Sequence, residues 1–171
     1  MSDDATITKE RLLDGLRRGR DDTLEALAAL PDAEWEKGRY EKGWNARQIL
    51  AHVASIEWTY PRLIDIAKGV EPPKPESQKK PGDLPSRTAT GGILSYNDRQ
   101  VARREGVPVP DLIEEWRANR DAVIAAVEAV DEDLLQVPIR SAGGITGPLA
   151  TVIYQTAVLH VRVHVNDITG A

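Results

Sequence analysis

The side chains in this sequence best suited to chemistry are His52, His160 and His164, all the histidines of its 171 residues. His160 and His164 stand four apart in Leu159-His160-Val161-Arg162-Val163-His164. On a helix that spacing stacks two imidazoles one turn apart on a single face. Imidazole is a borderline ligand suited to zinc, nickel, iron or copper, so the pair can share one ion. His52 lies far upstream, on an apolar-periodic stretch of its own that points it inward. We read the three as one metal site. Spacing alone also admits a plainer reading, in which they are ordinary core or surface histidines. Three neutral imidazoles leave coordination positions open for water or substrate, as a catalytic site requires. A metal so held lowers the pKa of a bound water or thiol and polarises an electrophile.

Two carboxylates stand near enough in sequence to serve such a site. Asp167 is three residues beyond His164 on the same helical face. It could fix the tautomer of an imidazole or bind the metal itself; equally, it could be a charge near a helix C-terminus. Glu57 is five residues past His52, about 140° round the helix. It becomes an acid–base candidate only if a kink at Pro61 turns it inward.

The chain contains no cysteine, which excludes disulfides, thiolate ligands and a cysteine nucleophile. Any sulfur chemistry must use a thiol that arrives as a cosubstrate. Charged residues are 29% and hydrophobic residues 41%, an ordinary globular balance. A net charge of −5 speaks against non-specific nucleic-acid binding. No apolar run reaches the roughly 18 residues of a membrane span. The start, Met1-Ser2-Asp3-Asp4, lacks the basic and apolar regions of a signal peptide. A single cytoplasmic domain over residues 1–171 is expected. Phenylalanine is absent and Met occurs once, so Leu, Ile, Val and Ala build the core with four Trp as large fillers.

The elements that must position the histidines read as helices. Thr8 is the N-cap of a helix to Leu30, with Leu12, Leu13, Leu16, Leu24 and Leu27 on one face and Pro31 as its stop. Gly15 and Gly19 weaken it but permit close approach of another helix. One helical turn is expected near Asp32–Glu36. Asn45 and Gln48 form a capping box for a second helix, which runs to Lys68 with Gly69 as its stop and Pro61 as a kink. The segment 69–90 holds Pro72, Pro73, Pro75, Pro81 and Pro85 and reads as a long crossover, either a lid or a plain spacer. A shorter helix is expected over 92–105. A third long helix starts at Pro110 and carries Leu112, Trp116, Asn119, Val123, Val127, Val130 and Leu134 as its seam, with an extra turn at 131–135. Residues 136–147 read as a Gly-rich loop without the spacing of a phosphate loop. One last helix, with Pro148 in its first turn, spans 147–169 and carries His160, His164 and Asp167. Its valines at 158, 161, 163 and 165 suggest burial on several sides or a dimer interface.

The stretch Gly43-Trp44-Asn45-Ala46-Arg47-Gln48-Ile49-Leu50-Ala51-His52-Val53-Ala54 strongly resembles the signature of the DinB/YfiT-like superfamily. The late His160-x-x-x-His164 stands where that superfamily places its paired ligands. Tyr96-Asn97-Asp98 followed by Val101-Ala102-Arg103-Arg104 looks like the helix before the third bundle helix in many members. The resemblance implies an all-α four-helix bundle with a long crossover between helices 2 and 3, often a homodimer. It implies a divalent metal, zinc or nickel, held by His52, His160 and His164. Characterised members include mycothiol-dependent maleylpyruvate isomerases and bacillithiol transferases. A metal-dependent enzyme joining a low-molecular-weight thiol to a small electrophile, or isomerising one, is therefore expected. A metal-activated hydrolase and a non-catalytic metal- or ligand-binding stress protein are the alternatives. The isomerase branch commonly has Glu where His160 stands, and the end at Ala171 leaves no room for a further domain, so that particular isomerisation is not expected.

Overall fold

The computed structural model describes residues 6–40, 43–70, 84 and 92–171. The crossover expected over 69–90 lies outside them, apart from Gly69, Val70 and Leu84.

Helix α1 spans Lys9–Ala29. The Thr8 hydroxyl accepts from the Arg11 N–H at 3.2 Å, satisfying one of the donors a helix start leaves open. Leu12, Leu16, Thr23 and Leu27 form its buried face, and the chain leaves it at Leu30 before Pro31. A single 3-10 turn comes next at Asp32–Glu34, shorter than expected.

Helix α2, Ala46–Glu57, starts on the anticipated capping box. The Asn45 side chain accepts from the Gln48 N–H at 2.8 Å, and the Gln48 side chain accepts from the Asn45 N–H at 3.0 Å. The expected single kinked helix to Lys68 is instead two helices. The chain breaks at Trp58–Thr59, where both the N–H (3.0 Å) and the hydroxyl (2.6 Å) of Thr59 donate to the Ile56 carbonyl. Helix α3, Tyr60–Ala67, then begins with Pro61 in its first turn. There the missing proline N–H costs nothing, because the carbonyl four residues back, that of Glu57, lies outside this helix. The end at Gly69 is as expected: its φ is 72°, and Val70 N–H reaches back to Asp65 O at 3.0 Å.

Helix α4 spans Ile93–Arg103 and packs on α2. Helix α5, Val109–Glu128, carries Pro110 in its first turn. Its seam departs from expectation at two positions, Asn119 and Leu134; Leu134 is only partly covered and Leu135 is buried in its stead. Leu112, Trp116, Val123 and Val127 are buried, but the residue buried between them is Arg120; Asn119 is only partly covered. The extra turn is α6, Glu132–Leu135.

The expected Gly-rich loop contains a hairpin, β1 Pro138–Arg140 against β2 Thr146–Pro148, antiparallel with Ile139 opposite Gly147. Ile139 is fully buried and anchors it under the bundle. Strands of three residues carrying Pro and Gly show no alternation to read from sequence. Pro148 therefore ends β2 and caps the next helix, outside its first turn.

The last helical stretch is three pieces: α7 Leu149–Ile153, a π-helical segment Tyr154–His160, and α8 Val161–Thr169. Gly170 ends it with φ 75°. Val158, Val161 and Val165 are buried, whereas Leu159 and Val163 are exposed.

These elements form an all-α four-helix bundle. Helix α1 packs on α5 and on the π segment and α8; α2 packs on α5 and α8. Leu12, Leu16, Leu63, Val123, Val127, Leu149 and Ile153 fill one end. Leu27, Trp35, Ile49, Leu50, Leu112 and Ile168 fill the other. Val53, Ala54, Trp116, Val161 and Val165 join them. Gly15 of α1 performs the close approach its type suggested: a Cβ there would stand 2.9 Å from Cε2 of Tyr154. Among the described residues no helix is long and apolar enough to cross a membrane.

Candidate metal centre

The two histidine-bearing elements are neighbours in the bundle, and the three imidazoles meet between them. His52 projects from the middle of α2, His160 closes the π segment, and His164 stands one turn later on α8. His52 and His164 are buried and His160 is partly covered. One ring nitrogen from each lies within 4.8 Å of the other two. The Nε2 atoms of His160 and His164 face each other at 2.9 Å. The rings stand nearly perpendicular, at 80°, 85° and 73° in the pairs 52–160, 52–164 and 160–164. Packing for area alone would not bring ring nitrogens together in this way; convergence of donors around one point suits a cation.

The protonation state fits the same purpose. Burial, with the neighbouring His164 adding to it, holds His160 down to about 4, so its imidazole is neutral at ordinary pH. A neutral imidazole has a lone pair to give a metal. His164 Nδ1 faces Asp167 Oδ2 at 3.5 Å, an electrostatic contact longer than a good hydrogen bond. A carboxylate there favours the tautomer with its proton on Nδ1 and its lone pair on Nε2, toward the centre. Burial raises the Asp167 carboxyl.

One side of the cluster is aromatic. Trp44 lies 5.3 Å from His52 and Tyr40 lies 5.6 Å from His164, ring centre to ring centre. The two aromatics stack on each other at 5.9 Å and 23°. Both come from the turn before α2, whose backbone is tied down by Arg39 N–H to Trp44 O (3.1 Å) and Ala46 N–H to Lys37 O (3.0 Å).

Glu57 is turned inward, as acid–base work at the site would need, but toward a different partner. It is fully buried and forms a two-pronged pair with Arg120, through Nε to Oε1 and Nη2 to Oε2, the latter at 3.3 Å. Burial pushes its carboxyl up while the guanidinium opposes the shift. Among the described residues, the cluster of possible ligands is the three histidines without Glu57 or Asp167. Arg120 escapes a reading of the sequence because its charge argues for solvent. Its spacing, four after Trp116 and three before Val123, is nonetheless that of the seam.

The sequence profile of the DinB superfamily matches residues 15–168. Two solved structures are similar over 94% of this chain. One is the mycothiol-dependent maleylpyruvate isomerase, at TM-score 0.70 and 18% identity. The other is a histidine-to-alanine mutant of such an isomerase, at TM-score 0.69 and 17% identity. The chain spans 60% of the length of either. At that identity the likeness is one of fold. No curated protein sequence matches this chain. With the profile running through all three histidines and the bundle shared with those structures, the chain belongs to the DinB superfamily.

Proposed function

We propose that the protein is a divalent-metal-dependent enzyme, with His52, His160 and His164 as the ligands, that activates a low-molecular-weight thiol for transfer to, or isomerisation of, a small electrophile. The observation that carries this reading is the convergence of three imidazole nitrogens within 4.8 Å in a partly covered position beside an aromatic wall. Zinc and nickel both suit three nitrogen donors. When bound, such an ion supplies Lewis acidity, lowering the pKa of a thiol or water and leaving a position open for it.

The chain's own residues do the rest. The three imidazoles offer their lone pairs to one point and so fix where the reacting atom sits. Asp167 orients the His164 ring through Nδ1. Tyr40 and Trp44 keep water from one side of the centre. The absence of cysteine means that the thiol comes from the medium, which agrees with the thiol dependence in the name of the isomerase that shares the fold. The exposed Leu159 and Val163, one turn apart, would support a homodimer through the end of the π segment and the start of α8; sedimentation of Val163→Asp would test it, a wild-type monomer counting against the interface.

Two measurements test the enzyme reading. Elemental analysis of untagged protein is expected to show close to one zinc or nickel per chain, lost in His52→Ala and in His160→Ala. The metal-loaded protein is then expected to accelerate conjugation of cellular thiols to small electrophiles. Turnover without thiol would favour a metal-activated hydrolase, and stoichiometric metal with no turnover across a broad panel would favour a binding protein. No metal, and none taken up from added zinc or nickel, would end the metal reading.

A further inference from the structure

Arg120 is fully buried at the centre of the bundle, and its partners come from every side. The guanidinium donates to the Glu57 carboxylate on α2, to Leu16 O on α1 at 3.3 Å, and to Ala157 O in the π segment at 2.5 Å. Its carbon lies 4.9 Å from the centre of the Trp116 ring on its own helix. A guanidinium is planar with five donors in a fixed fork, so these partners together fix its position and plane.

The Ala157 contact bears on the metal centre. In an unbroken α-helix, Ala157 O would accept from the N–H four residues on, that of Val161. Here the Val161 N–H turns to Val158 O, and Arg120 takes Ala157 O instead. The carbonyl before it, Thr156 O, accepts from the Tyr60 hydroxyl at 3.1 Å. Two core side chains thus donate to successive carbonyls in the middle of the π segment. Donors inserted into the ladder are a physical cause of such a departure from α geometry. The consequence is angular. One extra residue in the turn rotates the residues beyond it by roughly 100° relative to a straight α-helix. His160 is the last residue of that segment.

We propose that Arg120 is a positioning residue of the metal centre: by holding the Ala157 carbonyl it maintains the π turn that aims His160 at His52 and His164. Glu57 holds the guanidinium in turn and ties it to α2, the helix that carries His52. This inference rests on the metal reading above.

The test is a double-mutant cycle between Arg120→Lys and His160→Ala, reading Zn2+ affinity against a competing chelator and the visible absorption of the Co2+-substituted protein. Lysine keeps the charge for Glu57 but cannot fork to Ala157 O and Leu16 O as well. Arg120→Lys alone is expected to weaken Zn2+ by about 10- to 100-fold, the range for groups that orient a ligand, and to alter the Co2+ spectrum. On the His160→Ala background, which loses its metal on purification and is titrated with added Zn2+ for its weaker residual affinity, it is expected to cost little more, because the residue it acts through is gone. A generally loosened fold would instead add its loss to that of His160→Ala. Additive losses, or an unchanged affinity and spectrum in folded Arg120→Lys, would overturn the proposal while leaving the metal site standing. If Arg120→Lys does not fold, Glu57→Gln takes its place in the same cycle with the same two outcomes. A wild-type chain that binds neither Zn2+ nor Co2+ overturns both readings.

Discussion

Arg120 Nη2 donates to the Ala157 carbonyl at 2.5 Å, three residues before His160, and the same nitrogen faces Glu57 Oε2 at 3.3 Å. One buried cation therefore links the helix that carries His52 to the helical segment that ends in His160. Taking these charges out of water is expensive, and their attraction returns that cost only because both carboxylate oxygens are engaged and two backbone carbonyls, Leu16 O and Ala157 O, take further N–H groups.

This makes a specific pattern of stabilities. Glu57→Ala leaves the guanidinium buried without its counter-charge and is expected to cost about 3–5 kcal/mol. The double replacement Glu57→Leu with Arg120→Met removes both charges and fills similar volume, so it is expected to recover most of that loss. Urea unfolding of the three proteins checks it. A double variant no more stable than Glu57→Ala would show that the pair's backbone contacts, and not its charges, hold the core.

Gly15 offers a prediction of opposite origin, from space rather than charge. Its Cβ position is 2.9 Å from Cε2 of Tyr154 and 3.4 Å from Cγ2 of Val158. Gly15→Val would place branches in that contact and is expected to destabilise by about 1–3 kcal/mol, despite removing a glycine from a helix. A thermal midpoint equal to or above that of the wild type would mean that the π segment moves aside at no cost.

Much of the bundle is legible in the sequence because its signals are local. Thr8, Asn45 with Gln48, Gly69 and Gly170 mark helix ends by chemistry that acts within a few residues. The histidine pair is legible for the same reason, since a four-residue spacing survives at the junction of π segment and α8. Features that depend on distant partners are not legible. The π segment exists where Arg120 and Tyr60, from two other helices, meet successive carbonyls. The inward turn of Glu57 is set by Arg120, 63 residues away. The break at Trp58–Thr59 escapes notice because Pro61 reads as a defect within a helix, when it sits at a helix start.

Metal binding should appear as stability. A ligand that binds the folded chain alone stabilises by about 2.7 kcal/mol at a free concentration of 100 Kd. Chelated wild type is expected to gain a concentration-dependent rise in thermal midpoint on adding zinc or nickel, and His52→Ala is expected to show none. Equal rises in both would place the binding elsewhere on the surface.

Removing the metal should expose His160 to acid. Burial, helped by His164, holds its folded pKa to about 4, below the ordinary 6.5 of a histidine. The unfolded chain therefore takes up this proton first as the pH falls. Stability from this group is whole above about pH 6.5, declines as the pH drops toward 4, and levels off below it. The full decline is at most roughly 3.5 kcal/mol, since each pKa unit is about 1.4 kcal/mol. His52 and His164 face His160 across the cluster and Asp167 sits behind His164, so the comparison must isolate one ring. His160→Gln does so by keeping a polar side chain without a titrating nitrogen. In chelated protein, unfolding free energy is expected to fall more steeply between pH 6.5 and 4 for wild type than for His160→Gln. Parallel curves would mean that the imidazole takes up its proton in the folded chain as readily as in the unfolded one, and that its neutrality at the site comes from the metal and not from the fold.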